Sequence, residues 1–119
     1  MNSRQKGNRT VRKGIEILLN CGYIVDTVEK HGRFTKYKDL FSKWFEDNNF
    51  KGGFDVIALN EYRIRLIQFK TNQPGSLLPY KAFASVFGNV VYTELWCWKN
   101  RKGFVIYKFN KDGTYTRLK

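Results

Sequence analysis

Phe54-Asp55-Val56-Ile57-Ala58-Leu59-Asn60-Glu61-Tyr62-Arg63-Ile64-Arg65-Leu66-Ile67-Gln68-Phe69-Lys70-Thr71 is the stretch from which the fold is read. A short apolar run over 54–60 lies between Gly52-Gly53 and Asn60-Glu61, and a longer β-type run covers 62–71. Two such runs joined by a polar turn predict a hairpin. Side chains alternate along a strand, so Ile64, Leu66, Gln68 and Lys70 share one face, while Arg63, Arg65, Ile67 and Phe69 share the other. Antiparallel pairing sets the start of the first strand beside the end of the second, which brings Asp55 close to Gln68 and Lys70. Polar groups in apolar strands need a reason, because burying one unpaired costs about 1–3 kcal/mol.

Outward from the hairpin, Val11, Ile15, Leu18 and Leu19 fall at helical spacing, and Ile17 adds to the apolar side. Thr10 can cap this segment and Gly22 can end it, so the spacing predicts a helix over Thr10–Cys21, slightly weakened by Gly14. Met1–Arg9 is polar and basic and reads as a mobile arm. Tyr23–Val28 alternates, with Tyr23, Val25 and Thr27 opposing Ile24, Asp26 and Val28, as in a first strand. The insert at 29–53 mixes bases with aromatics. Tyr37, Leu40, Phe41, Trp44 and Phe45 are spaced like one face of a short helix. Beyond the hairpin come a loop with Pro74 and Gly75, a helix from Pro79 to about Phe87, and strands over Val90–Trp98 and Phe104–Phe109. Thr114–Leu118 reads as a short edge strand. The order α-β-insert-β-β-α-β-β predicts a single α/β domain with a mixed central sheet flanked by helices.

The 119 residues suit one compact domain, and a hydrophobic fraction of 42% can build a core without disulfide staples. Twenty-two Lys and Arg face ten Asp and Glu, a formal net charge of +12. A domain this basic repels itself unless counter-ions or a polyanion neutralise it, and the reading this favours is a nucleic-acid partner. No apolar run is long enough to span a bilayer. Cys21 and Cys97 sit in apolar contexts and His31 is the single histidine, which argues against a structural zinc site. The N-terminus lacks an apolar signal core, so the expected location is intracellular: cytoplasm or nucleoid, or the host cytoplasm for a phage-encoded chain.

Asp55, Gln68 and Lys70 together suit phosphoryl chemistry. A hard cation such as Mg²⁺, with Mn²⁺ as a substitute, takes oxygen ligands, which Asp55 supplies as a carboxylate and Gln68 as an amide carbonyl. Such a metal polarises a phosphate and helps generate hydroxide, and Lys70 can position the water and stabilise developing charge. Arg4, Lys6, Arg9, Arg12 and Lys13 near the N-terminus, with Lys36, Lys38 and Lys51 in the insert, are candidates for gripping a DNA backbone.

An Asp, a strand-length gap and then (Glu/Gln)-x-Lys in a hairpin resembles the PD-(D/E)XK nuclease superfamily. Gly53-Phe54-Asp55-Val56-Ile57-Ala58 followed by Leu66-Ile67-Gln68-Phe69-Lys70 is similar to the branch containing archaeal-type Holliday junction resolvases and related phage endonucleases. Lys6-Gly7, the first helix and Gly22-Tyr23 extend the likeness over residues 6 to 109, with the insert as its weakest part. The resemblance implies a restriction-endonuclease-like sheet, Mg²⁺-dependent cleavage of DNA, branched DNA in particular, and a homodimer. Three positions depart from the pattern. Gln68 stands where Glu is common, Phe54 precedes Asp55 in place of proline, and aligning on Gly7 and Gly22 puts Val11 where resolvases usually carry a Glu. Glu16, Asp39, Glu46 and Asp47 are the acids that could supply the missing carboxylate. A second reading is a DNA-binding protein on a nuclease fold without efficient catalysis.

Overall fold

The computed structural model describes residues 3–27 and 54–118. The insert therefore lies outside the described residues. With it lie the helix expected at 37–45, the candidate acids Asp39, Glu46 and Asp47, the candidate bases Lys36, Lys38 and Lys51, and His31.

Two helices and six strands are described: α1 (Ser3–Asn20), β1 (Ile24–Thr27), β2 (Val56–Leu59), β3 (Ile64–Thr71), α2 (Leu78–Phe87), β4 (Tyr92–Lys99), β5 (Gly103–Phe109) and β6 (Tyr115–Leu118). The strands form one sheet in chain order, β1-β2-β3-β4-β5-β6. β3 and β4 are parallel and joined through α2, as a parallel pair requires a crossover, and every other neighbouring pair is antiparallel. This is the mixed α/β architecture expected from the hairpin and its flanks.

The predicted hairpin is present with Val56 opposite Ile67 and Leu59 opposite Ile64. Its turn is built by Asn60, whose Oδ1 accepts the backbone N–H groups of Tyr62 at 2.8 Å and Arg63 at 2.9 Å. A side chain that accepts from the backbone two residues on is why asparagine favours such turns.

The first helix starts at Ser3, ahead of the Thr10 expected to cap it. Residues 3–9, read as an arm, are its first turns. Nothing in Arg4–Arg9 breaks a helix apart from Gly7, and a lone glycine costs only about 1 kcal/mol. Thr10, far from capping, is 3% exposed inside the helix, and its hydroxyl lies 2.6 Å from that of Thr71. The stop at Gly22 is as read. Tyr23 N–H bonds to Leu18 O and Gly22 N–H to Leu19 O, both at 3.0 Å, with Gly22 at φ 86°. That is the Schellman ending, which needs a residue free to turn left-handed.

The helix buries a narrower stripe than expected. Val11, Ile15 and Leu18 face the sheet, whereas Ile17 and Leu19 are 42% and 55% exposed. At 100° per residue, positions on either side of 18 swing well away from its stripe. Gly14 does more than weaken the helix. A Cβ there would stand 2.1 Å from Phe69 Cε1, so the missing side chain is what lets α1 lie on the Phe69 ring.

The sheet has one core on each face. Beneath α1, Leu18 and Tyr23 pack with Val56, Ala58, Ile67, Phe69 and Trp96. Beneath α2, Tyr80, Phe83 and Ala84 pack with Phe54, Ile57, Leu66, Leu95 and Phe109. Each large side chain fully removed from water contributes about 1.5–3 kcal/mol. Trp96, read as core or interface, is core at 2% exposure, while Trp98 is half-buried with Lys13 Nζ 3.9 Å above its ring.

Candidate active site

The strand alternation places Gln68 and Lys70 on the α2 face with Leu66, and Phe69 between them on the α1 face. Asp55 stands where β2 begins. Its N–H donates to Ile67 O at 2.9 Å, and its Oδ2 accepts the N–H of Phe69 at 2.8 Å. The carboxylate thus takes the place of the next carbonyl in the ladder. It is fixed against the peptide that joins Gln68 to Phe69. A carboxylate accepting a backbone N–H makes a stronger bond than a neutral acceptor would.

On the α2 side, Tyr80 senses this charge. Burial, and then the negative charge of Asp55, push the Tyr80 phenol up to about 12. Tyr80 is 5% exposed and stacks on Phe109 with ring centroids 5.4 Å apart. It is a neighbour of the site that the sequence did not reveal, because no pattern in α2 ties Tyr80 to Asp55.

Gln68 Oε1 is buried and has no hydrogen-bond partner among the described residues. A buried carbonyl left unmatched costs about 1–3 kcal/mol, so an oxygen-seeking ligand is the natural complement. The other such atom is Thr93 Oγ1. It lies on the same face but level with Leu66, in the α2 core rather than beside Lys70.

Asp26 is the described acid that shares this face. It pairs with Ile57 across β1 and β2, which makes it the diagonal neighbour of Asp55, and it is half-buried. Diagonal residues in an antiparallel pair have Cα atoms ~7–8 Å apart, within the joint reach of two carboxylates for one cation. Asp26 Oδ1 also accepts the N–H of Thr27 at 2.7 Å. Glu16 is exposed on α1, on the opposite side of the sheet, and the fold does not bring it to Asp55. Val11 packs into the α1 core. Asp55, Gln68 and Asp26 fit a hard cation by donor type, all being oxygen, although no three His, Cys, Asp or Glu side chains converge among the described residues.

Glu94, a buried acid that sequence reading missed, is committed elsewhere. It is 0% exposed on the α1 face, where Arg65 Nε donates to its Oε2 at 2.7 Å and Arg65 Nη2 to its Oε1. Trp96 Nε1 also donates to Oε1, at 2.8 Å. Burial opposes the charge on Arg65, but the paired bonds and charge of Glu94 outweigh it and hold the guanidinium above its ordinary pKa.

Of the candidate DNA-contacting bases, Arg9, Arg12 and Lys13 are exposed along α1, and Arg4 and Lys6 lie in its first turns. Among the described residues no helix is long and apolar enough to cross a membrane.

A mixed sheet with a helix on each face, and polar groups gathered where β2 and β3 meet, defines the restriction-endonuclease-like class of fold. The chain is similar to the solved structure of Archaeoglobus fulgidus Hjc, a Holliday junction resolvase from an archaeal hyperthermophile. The TM-score is 0.53 at 16% identity, covering 90% of this chain and 74% of that one. No protein-family model matches the chain, and no curated protein matches it.

Proposed function

We propose that this protein is a metal-dependent endonuclease of the PD-(D/E)XK type acting on DNA, with branched DNA as its preferred form. The observation that carries the reading is the grouping on one face of β3. Asp55 is anchored to the Phe69 N–H, the buried Gln68 carbonyl has no partner among the described residues, and Lys70 follows on the same face. The likeness to a junction resolvase fold and the formal charge of +12 support it.

Asp55 and Gln68 would hold Mg²⁺ or Mn²⁺, with Asp26 as the second carboxylate. When bound, the cation supplies Lewis acidity toward the phosphate and lowers the pKa of coordinated water. Asp55 needs no reorganisation to serve, because its backbone bond already fixes it. Lys70, on the same face, would offer a positive charge to the negative charge that develops on the pentacoordinate phosphorus centre. A four-way junction has two symmetric strands to cut, so a two-fold homodimer belongs to this reading.

Cleavage of four-way, duplex and single-stranded DNA with Mg²⁺ or Mn²⁺ tests it. Activity that disappears in Asp55→Ala and Lys70→Ala while DNA binding persists is the expected result. No cleavage of any of the three with either metal ends the proposal. Light scattering of the protein alone and on a junction checks the dimer.

One observation favours a second reading, a DNA-binding protein without efficient turnover. Gln68 is neutral where a carboxylate would bind the cation more tightly, and the buried Glu94 is locked to Arg65 on the opposite face. Calorimetry separates the two readings: the binding-only protein gives no Mg²⁺ or Mn²⁺ heat that depends on Asp55.

A further inference from the structure

At the carboxyl ends of β3 and β4, on the α1 side, is an open cavity of about 230 Å³. Arg9 and Lys13 line it from the helix, Trp98 from β4, and Asn72 and Asn100 from the positions just beyond β3 and β4. No acid lines it. Its backbone groups at Asn72 are already used: the N–H donates to Trp98 O at 2.8 Å, and the carbonyl accepts Lys99 Nζ at 2.6 Å. Asn72 itself is left-handed at φ 68°, a conformation asparagine tolerates better than most residues. What the cavity presents is therefore two cations and two side-chain amides.

We infer that this cavity is a phosphate site, separate from the group at Asp55, that holds a phosphate of the bound nucleic acid. Stacking of a base on Trp98 is the less suitable use. Lys13 Nζ already sits 3.9 Å above the ring, and Phe104 packs edge-on at 5.1 Å. Cations with amide donors match the oxygens of a phosphate. The cavity is also tied to the candidate site. Thr71 lines it and directly follows Lys70, and the Thr10–Thr71 hydroxyl contact of 2.6 Å fastens α1 to that strand end. A sugar-phosphate backbone crossing this end of the sheet meets Lys70 on one side and Arg9 with Lys13 on the other. The inference rests on the nucleic-acid reading above but not on catalysis.

The test compares Lys13→Gln, Asn100→Ala and, as a charge control, Lys111→Gln at the exposed turn before β6. Each is first shown by circular dichroism to be folded, and affinity for one fixed duplex is measured without divalent metal. Lys13→Gln and Asn100→Ala are each expected to weaken binding roughly 5- to 10-fold, and Lys111→Gln no more than about 2-fold. Inorganic phosphate titrated into the wild type should shift the Trp98 indole N–H resonance to saturation, and both pocket variants should abolish that shift. Duplexes with and without a 5′-phosphate identify the source. Equal affinity assigns an internal phosphodiester and tighter binding assigns a terminal phosphate, and both support the site. A silent Asn100→Ala together with equal losses in Lys13→Gln and Lys111→Gln overturns it, leaving only a diffuse cationic surface. A protein that keeps the phosphate shift but cuts no DNA retains the pocket and loses the nuclease reading. One that cuts DNA but shows no phosphate shift does the reverse.

Discussion

On the face of β3 beneath α1, Arg65 meets a fully buried Glu94 through paired hydrogen bonds, and Trp96 donates a third. On the face beneath α2, one strand end further along, the Gln68 carbonyl is buried with no partner among the described residues. The two groups lie three residues apart on the same strand. The first is a closed account of charge and donors, so it holds the sheet together and has nothing left to offer a substrate. The second is open among the described residues, and Asp55 is pinned beside it by a backbone bond. Burial alone therefore says little about function here. On the proposed reading, what separates structural from chemical polarity is whether the protein itself completes the hydrogen bonding.

Four substitutions and a conservative swap can break or sharpen that contrast. Glu94→Ala should have the largest effect, because it leaves Arg65 charged and largely buried without its carboxylate, and loss of one member of a buried pair costs about 3–5 kcal/mol. Urea denaturation reads it directly, and a loss below about 1 kcal/mol would contradict a structural role. Asp55→Ala should act mainly on chemistry. Cleavage should fall on the order of 10²–10³-fold in a single-turnover assay, while urea denaturation shows a smaller loss of about 1–3 kcal/mol from the Phe69 N–H left without its acceptor. Gly14→Ala probes the ground between them, since its methyl group would overlap the Phe69 ring. Overpacking of this kind costs about 1–3 kcal/mol, and an unchanged thermal midpoint would show that α1 can simply slide.

The two smaller effects concern the cation. Asp26→Asn should raise the Mg²⁺ concentration for half-maximal cleavage by roughly 10-fold, about 1.4 kcal/mol of binding. If calorimetry finds the same Mg²⁺ affinity in that variant, Asp26 is not the second carboxylate. Gln68→Glu should lower the Mg²⁺ requirement by less than about 10-fold, since it adds one charge to an existing oxygen donor. An increased requirement would mean that the neutral amide is preferred for a reason other than metal binding.

Much of this contrast could be read in advance, for reasons that lie in the residues. The hairpin was legible because Phe54–Leu59 and Ile64–Thr71 are short β-rich runs closed by Asn60. Alternation then put Gln68 and Lys70 on one face without any tertiary knowledge. Gly22 was legible as a helix end because the left-handed turn is a local demand. The Arg65–Glu94 pair was not, since it depends on the parallel register that sets Glu94 level with Ile67, and register across a crossover is not written in either strand. Asp26 escaped notice as a candidate for the same reason. Its relation to Asp55 exists only once β1 has paired with β2. The early start of α1 was missed because basic residues at its head carry no periodic signal, and Gly14 looked like a weakness until Phe69 lay against it. The acids proposed at 39, 46 and 47 lie outside the described residues, and the structure bears on them only by offering Asp26 in their stead.

The bond from Phe69 to Asp55 carries a practical lesson for anyone scanning this chain by mutagenesis. The donor is a main-chain amide, which every amino acid except proline provides. Replacing Phe69 with other residues will therefore register the loss of its ring against Gly14 and Trp96, and the anchor of Asp55 will pass through such a library unseen. Only proline at position 69 would remove it, and there the lost amide would have to be separated from the damage to the strand.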